Sequence, residues 1–164
     1  MSGNIQIAPA RTARLSEIKH PETRAQHMAS SAALYTAVGD VACTFTYGEN
    51  GRPEIADGHV SLAHTSGIAV CAACDCPVGV DIELKDRQLS QQIQKMFPSL
   101  DDWLAMEACV KMTGEGLTAM RKYRRDGEKM LDQNGCVEGC LQFFDHGRYR
   151  LAICCREEFK IQII

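Results

Sequence analysis

The amino-acid sequence predicts an α+β domain in which two pseudo-symmetric halves each combine a helix with an antiparallel sheet. A helical segment over 21–38 is followed by short strand-like segments, and a second helical segment over 100–113 is followed by a closing set of strands. No low-complexity linker interrupts the 164 residues. We therefore expect one compact domain, residues 1–164, with an N-terminal pseudo-repeat over 1–76 and a C-terminal one over 77–164.

The first half should begin with a polar, partly helical segment over 1–20 and continue into a long helix. Pro21 and Glu22 are typical of a first helical turn, where proline is tolerated and an acidic side chain interacts favourably with the helix dipole. Gly39 marks the end of this helix. We expect two rows of its side chains to pack in the core: Met28, Ala32 and Tyr35, and Ala29, Ala33 and Ala37. The predicted strands are 41–47, 59–64 and 68–74, with a turn over 48–53.

The second half should begin with a buried strand over 78–84, because this segment is mostly apolar and β-branched. A short helix is expected near Gln91–Phe97. The second main helix should begin at Leu100, where acidic residues form the cap and first turn, and end before Gly114. Three closing strands are predicted over 139–144, 149–155 and 159–164.

Composition and charge narrow the classes of function. The net charge of -3 and pI near 5.9 give no overall basic field, so we expect no nucleic-acid partner. No apolar run approaches the ~20 residues that cross a bilayer, and the N-terminus shows no signal-peptide pattern. We therefore expect no membrane association and a reducing cytoplasmic location, where most of the nine cysteines should be buried thiols.

The strand over 78–84 and the helix over 100–113 carry the most informative residues. Asp81 and Glu83 are two apart in the strand and therefore point to the same side. Glu107 and Lys111 are four apart in the helix and share a face with Trp103, which should be a packing residue. If the two elements pack together, three carboxylates converge beside a lysine. Such hard oxygen ligands suit Mg²⁺ bound together with a phosphorylated substrate.

Two other interpretations remain open at this point. The acidic residues are also consistent with a solvated strand edge, and Glu107 and Lys111 with an ordinary helical ion pair. The segment from Cys71 to Cys76 suggests a zinc or redox module. Structural zinc generally needs a second ligand pair at suitable spacing, and Cys154 and Cys155 are adjacent instead. We therefore expect Cys71 and Cys74 to be buried thiols.

Five segments in fixed order resemble the pattern of the 4′-phosphopantetheinyl transferases of the two-halved, surfactin-synthetase-activating type. They are the turn Gly51-Arg52-Pro53, the segment Ser61 to Gly67 with His64, the strand Gly79 to Glu83, the helix Trp103 to Lys111, and Gly114-Glu115-Gly116-Leu117. Order and spacing hold over 51–117, and weaker similarity extends from about residue 21 to the end.

The resemblance implies a fold, a reaction and a set of partners. The fold would be that of the transferases, and the reaction would move the 4′-phosphopantetheine arm of coenzyme A to a serine of an apo acyl or peptidyl carrier protein. Adenosine 3′,5′-bisphosphate would leave. The resemblance also implies a monomer built as a pseudodimer. An acidic carrier protein would need a local basic patch for docking, for which Arg87 and the segment Arg121–Arg125 are candidates.

The resemblance also implies roles for individual residues. Asp81, Glu83 and Glu107 would hold Mg²⁺ against the pyrophosphate of coenzyme A. Glu107 would help to remove the proton of the incoming serine, and Lys111 would steady the pyrophosphate and the leaving group. The remaining residues implied to bind coenzyme A are His64, Thr65, Gly51, Arg52, Pro53 and Arg24.

Two positions depart from the pattern. Met106 stands where the family usually has a lysine, and Ala63 stands where a serine is common. We expect these changes to weaken phosphate binding without abolishing activity. The alternative is a catalytically weakened or inactive homologue that binds coenzyme A or a carrier protein.

Overall fold

The computed structural model describes residues 9–39, 44–48 and 51–161. The helices are α1 (Pro9–Glu17), α2 (Pro21–Val38), α3 (Gln91–Met96) and α4 (Leu100–Thr113), and a 3₁₀ helix covers Leu117–Lys122. The strands are β1 (Thr46–Tyr47), β2 (Pro53–Glu54), β3 (His59–Thr65), β4 (Ile68–Cys74), β5 (Val78–Leu84), β6 (Arg124–Asp126), β7 (Lys129–Leu131), β8 (Val137–His146) and β9 (Tyr149–Cys155).

All strand pairs among the described residues are antiparallel, and they fall into three sheets. β1 pairs with β2, β3 forms a hairpin with β4, and the other strands form a sheet in the order β5-β9-β8-β7-β6. β5 lies at the edge of this sheet beside β3. The hydroxyl of Ser61 accepts a hydrogen bond from the Val80 N–H at 3.0 Å, so a side chain joins the hairpin to the sheet edge. This contact satisfies a backbone donor that would otherwise be buried without a partner.

Two apolar layers enclose β5, whose residues are buried from Val78 through Glu83. On one side α4 packs against the large sheet through Leu104, Ala108 and Met112, which are fully buried. On the other side Val80 and Ile82 pack with Ala63 of the hairpin. A strand buried on both faces explains why this segment reads as a nearly continuous apolar run.

The hairpin is covered in turn by α2. Leu34 of this helix packs with Phe45 and Val60 in a separate cluster. Two serines, Ser30 and Ser31, are buried beside Leu34. Their hydroxyls donate to backbone carbonyl oxygens one helical turn earlier, at 3.0 and 2.8 Å, which lowers the cost of burying them. The prediction that Met28 packs in the core is wrong, since Met28 is 51% exposed.

The predicted limits of several elements are confirmed. α2, β4, β5 and β9 have the predicted bounds, and α4 begins at Leu100 and ends at Thr113. Its N-cap is Ser99, whose hydroxyl accepts from the Asp102 N–H at 3.1 Å, so the predicted acidic cap is instead the first turn. Of the strand predicted over 41–47, only Thr46–Tyr47 is a strand, so the prediction is wrong for residues 44 and 45, and 41–43 lie outside the described residues.

The last predicted strand, 159–164, is wrong where the structure describes it. Residues 159–161 form no strand, and 162–164 lie outside the described residues. The side-chain amide of Gln142 donates to the Phe159 carbonyl oxygen at 2.9 Å, so the chain is held by a side chain of β8 and not by a strand ladder. The pseudo-symmetry of the two halves and their boundary stay predictions.

Candidate active site

The centre of the candidate site is an ion pair between β5 and α4. Lys111 Nζ donates to Asp81 Oδ1 at 2.6 Å and to the Val80 carbonyl oxygen at 3.2 Å. The Asp81 side chain is 6% exposed, and that of Lys111 is 32% exposed. The ammonium group of Lys111 thus neutralises a buried carboxylate. Because it is also partly exposed, it can contact an anion that enters from solvent.

Gly79 allows this close approach of helix and strand. A Cβ atom at this position would overlap the carbonyl oxygen of Ala108 and would lie 2.6 Å from the backbone nitrogen of Met112. Both are backbone atoms of α4 and have no rotamer to escape into. The glycine of the Gly-x-Asp-x-Glu strand is therefore required for packing, and this packing sets the distance between Asp81 and the helix.

Glu107 faces the same space from α4. Its pKa is raised to about 7, mainly by burial and also by the neighbouring negative charge of Asp81, while Lys111 and Arg87 act in the opposite direction. Two carboxyl groups that share a largely buried position resist simultaneous ionisation. The same position therefore favours a cation that neutralises both.

Glu83 is buried at the same edge but is held by other groups. Arg87 forms an ion pair with it, and the Thr65 hydroxyl donates to its Oε2 at 3.1 Å. The predicted site residue Thr65 therefore contacts a proposed metal ligand. Arg87, a predicted docking residue, lies on the same carboxylate.

The donor set fits Mg²⁺ in chemistry. Asp81 Oδ2 is buried and has no hydrogen-bond partner among the described residues, and Glu107 and Glu83 supply further hard oxygens. Within the described part of the chain, however, the only cluster of possible ligands that all lie within 4.8 Å of one another consists of cysteines. The three carboxylates are therefore more widely spaced than a closed coordination shell, with Arg87 and Lys111 as their present counter-ions.

A cleft of about 340 Å³ opens beside this cluster. Its lining includes the predicted site residues Gly51, Arg52, Pro53, Glu107 and Lys111. This volume lies within the range of ~300–1,000 Å³ that is usual for small-molecule sites. The turn over 51–53 and the helix α4, which are far apart in sequence, therefore meet at one cavity as expected.

Arg52 is the cation best placed for a phosphate in this cleft. Its Nη2 atom is buried and has no hydrogen-bond partner among the residues that the structure describes. The guanidinium group lies against Gly114 at the C-terminus of α4, where a Cβ atom would be 2.9 Å from Nη1. Gly114 has φ of 75°, a left-handed cap that few other residues adopt. The partial negative charge of the helix end favours the cation there.

A wider depression of about 500 Å³ lies elsewhere, lined by residues that include Lys85, Asp101, Asp145 and Arg150. Its charged side chains are paired with one another, with Arg150 to Asp101 at 2.8 Å and Lys85 to Asp145 at 3.1 Å. A surface whose charges are already paired offers less to an anion than the cleft does. We therefore take the cleft, and not this depression, as the candidate binding site.

Two predicted site residues, His64 and Arg24, lie away from the cleft lining. His64 is exposed at the end of β3, and its ring centroid is 5.8 Å from that of His27 on α2. Arg24 is exposed one helical turn before His27. Helical spacing places Arg24 and His27 on one side of α2, so the exposed Arg24 and the half-buried His27 lie on the same side as His64 of the hairpin.

Position 106 does not face the cleft. Met106 is 3% exposed and belongs to the main core with Trp103, because a step of one residue rotates a helical side chain by about 100° away from Glu107. Trp103 is a packing residue as predicted, and its ring contacts Phe97 at 5.6 Å between centroids. In this chain Met106 is thus part of the core, and its side chain does not occupy a position from which a lysine would contact phosphate in the cleft.

Comparison with known proteins agrees with this geometry. No protein-family model matches the chain. The 4′-phosphopantetheinyl transferase Sfp of Bacillus subtilis (strain 168) is 28% identical over 138 residues, which cover 68% of this chain and 61% of that relative. The chain is a weak homologue of the 4′-phosphopantetheinyl transferases. It spans about three fifths of the length of the curated relative that it matches. None of the described helices is long and apolar enough to cross a membrane.

Proposed function

We propose that the protein transfers the 4′-phosphopantetheine arm of coenzyme A to a serine of an apo acyl or peptidyl carrier protein. The observation that carries this proposal is the meeting of Asp81, Glu107 and Lys111 beside a cleft whose lining also includes Arg52, a residue whose Nη2 atom has no hydrogen-bond partner in the described part of the chain. Glu107 and Lys111 line this cleft from α4, and Arg52 lines it from the turn over 51–53, so a carboxylate for a divalent cation and cations for phosphate oxygens lie at one cavity. The resemblance to Sfp supplies the reaction class.

Mg²⁺, held by Asp81, Glu83 and Glu107, would neutralise charge on the pyrophosphate of the bound substrate. For Glu83 to take part, its carboxylate must leave Arg87, and the freed guanidinium group then becomes available to a phosphate oxygen. Because Asp81 Oδ2 has no hydrogen-bond partner among the described residues, no protein contact there opposes binding of the ion.

The chain's own residues would do the rest of the chemistry. Arg52 and Lys111 bind and orient the pyrophosphate. Glu107 accepts the proton of the carrier serine while the serine oxygen forms a bond to the phosphorus atom that bears the pantetheine arm. The bond from that phosphorus to the bridging oxygen breaks, and adenosine 3′,5′-bisphosphate leaves with its new negative charge beside Lys111.

The carrier protein would dock through a local basic surface. Within the predicted segment 121–125, Lys122 pairs with Glu115 at 2.8 Å and Arg125 pairs with Asp102 at 3.1 Å. Arg121 and Arg124 are exposed. We propose that these two arginines contact the carrier protein. We propose that the protein acts as a monomer in the cytoplasm, where its thiols stay reduced.

The second candidate function is binding of coenzyme A or a carrier protein without transfer. It is favoured by the spacing of Asp81, Glu83 and Glu107, whose carboxylates do not all lie within 4.8 Å of one another. Ala63 stands where the family commonly has a serine, but it is 4% exposed and packs in the core, so it does not separate the two candidates. Met106 no longer supports this alternative, because its side chain is in the core.

The test is incubation of the protein with coenzyme A, Mg²⁺ and a panel of apo carrier proteins, followed by intact-mass measurement of each carrier. We expect a gain of one phosphopantetheine arm on at least one carrier. Glu107→Gln should lose the gain, whereas Glu128→Gln, which changes an exposed carboxylate outside the site, should keep it. Absence of the gain with every carrier, together with measurable binding of coenzyme A, would establish the second candidate instead.

A further inference from the structure

Three cysteines that are distant in sequence place their sulfur atoms together. Cys76 Sγ lies 3.4 Å from Cys74 Sγ and 3.1 Å from Cys155 Sγ, and the distance from Cys74 Sγ to Cys155 Sγ is 3.7 Å. Among the described residues, this is the only group of three or more possible metal ligands whose donor atoms all lie within 4.8 Å of one another. The prediction that Cys71 and Cys74 are buried thiols is wrong, since both are only half-buried and Cys74 belongs to this cluster.

The fold explains why these residues meet. Cys74 ends β4, Cys76 lies in the connection to β5, and Cys155 ends β9 opposite Val78, the first residue of β5. The cluster therefore joins the hairpin, the connection and the large sheet at one corner. It escaped the sequence analysis because Cys155 is brought in by a strand ladder, which spacing along the chain does not reveal.

The spacing of the sulfurs suits a soft metal ion. Zinc–thiolate bonds of ≈ 2.3 Å place the sulfurs of a tetrahedral site about 3.8 Å apart. The longest of the three distances already matches this value, and the shortest needs to open by about 0.7 Å. Cys74 and Cys76 are only half-buried, so the corner is open to an ion from solvent.

The neighbouring strand carries a fourth donor, His59, whose ring nitrogens do not lie within 4.8 Å of all three sulfurs and must turn toward them when a metal binds. His59 lies directly opposite Cys74 in the β3–β4 ladder, so the two side chains project from the same face. His59 is half-buried. Three thiolates and one imidazole form a common ligand set of structural zinc sites.

We propose that Cys74, Cys76 and Cys155 bind one Zn²⁺ ion, with His59 as the fourth ligand. On binding, each thiol releases its proton to solvent and its sulfur donates an electron pair to the metal, so no oxidant or reductant takes part. The site is independent of the proposed transferase function. Asp81 is three residue steps from Val78, about 10 Å along the strand. The ion would fasten the hairpin to the large sheet.

The first experiment measures metal content and thiol reactivity of the whole protein. Elemental analysis of protein purified without chelator should find about one zinc ion per chain, and zinc should protect Cys74, Cys76 and Cys155 from alkylation in peptide mass mapping. Co²⁺ added to the metal-free protein should give a sulfur-to-cobalt charge-transfer band and the visible d–d bands of a tetrahedral site.

Variants then assign the ligands. Cys76→Ser, which changes a half-buried residue in a connection, should weaken zinc binding by more than about tenfold, since even outer-shell changes cost 10–100-fold. Cys155→Ser should do the same but changes a fully buried side chain, so Cys76→Ser is the decisive variant. Cys136→Ser alters an exposed cysteine away from the corner and should leave metal content and the cobalt spectrum unchanged.

Two results would overturn the proposal. One is metal-free protein that takes up neither zinc nor cobalt while all three thiols remain reactive. The other is a Cys76–Cys155 disulfide in protein purified under reducing conditions. Unchanged zinc affinity and an unchanged cobalt spectrum in His59→Ala would contradict His59 as the fourth ligand. Because these readouts need neither coenzyme A nor a carrier protein, failure here is distinguishable from failure of the transferase assignment.

Discussion

Two surfaces that carry predicted site residues differ in how firmly they hold them. The buried wall is the β5–α4 interface beside the cleft, where Asp81 and Glu107 are largely buried and Lys111 makes two contacts across the interface. The exposed wall is the β3–α2 surface, which lies away from the cleft lining and carries the exposed residues His64 and Arg24. Close backbone packing, made possible by Gly79, fixes the buried wall, whereas the fold constrains the side chains of the exposed wall less.

The largest effect should come from the buried wall itself. Asp81→Asn keeps the shape of the side chain but removes the charge that Lys111 contacts and that a divalent ion requires. We expect carrier modification to slow by about 10²–10³-fold. Asp145→Asn removes an exposed carboxylate paired with Lys85 and should change the rate less than about twofold. Rates come from the time course of carrier mass gain, and equal rates for the two variants would contradict a special role for Asp81.

The next effect should come from the packing that supports this wall. In Gly79→Ala the new methyl group meets backbone atoms of α4, so helix and strand must separate. We expect the free energy of unfolding to fall by about 3 kcal/mol and Mg²⁺-dependent activity to fall with it. The control is Gly48→Ala, where the added atom meets only the flexible end of Glu54. Urea unfolding followed by circular dichroism gives the free energy of unfolding of both variants, and the time course of carrier mass gain gives their activity. A loss of stability in Gly79→Ala no larger than in the control would count against the close packing.

A smaller effect should distinguish the cleft from the exposed wall. Arg52→Ala removes the buried guanidinium group and should weaken coenzyme A binding by about 10–100-fold, which corresponds to a charged hydrogen bond of about 1.5–3 kcal/mol. His64→Ala and Arg24→Ala remove exposed groups and should weaken binding by less than about fivefold. Isothermal calorimetry with coenzyme A measures all three. The reverse order of effects would move the substrate from the cleft to the exposed wall.

The smallest effect concerns Glu107 in metal-free protein. Its pKa of about 7 lies above the ordinary value of 4.5, so the folded state binds this proton more tightly than the unfolded state. The contribution to stability is present at low pH and is lost as pH rises from about 4.5 through 7. Glu107→Gln does not titrate and should be more stable than the parent by about 1–2 kcal/mol at pH 8, with little difference at pH 4.

Thermal unfolding in the presence of a chelator checks this prediction. Glu115→Gln is the matched control, because a hydrogen bond from Lys122 lowers the pKa of that exposed carboxyl. Its removal should not stabilise the protein at any pH. A stability difference between Glu107→Gln and the parent that does not change between pH 4 and pH 8 would show that Glu107 is not in the environment described above.

The sequence predicted best where local chemistry and tertiary packing agree. β5, β4 and β9 have the predicted limits because apolar runs between turn residues leave few alternatives. The convergence of Asp81, Glu107 and Lys111 was predictable from the periods of strand and helix. The burial of Ser30 and Ser31 was not predictable in this way. Their hydroxyls donate hydrogen bonds within the helix, so burying them costs less than is usual for serine.

The details that escaped prediction depend on contacts between distant segments. Glu83 and Arg87 are four residues apart, a spacing that predicts contact within a helix. Because Glu83 was predicted to lie in a strand, this ion pair was not predicted. The meeting of Cys155 with Cys74 and Cys76 has no local signal and depends on the β5–β9 register. The core position of Met106 follows from helix geometry, and only the packing of α4 shows which face is turned inward.

The central claim is that Asp81, Glu83 and Glu107 hold one divalent ion together with coenzyme A. The most direct test is the affinity for coenzyme A measured by calorimetry with and without Mg²⁺, in the parent and in Asp81→Asn. The account predicts that Mg²⁺ tightens binding at least about tenfold in the parent and has no such effect in the variant. An affinity in the parent that is the same with and without Mg²⁺ would contradict it.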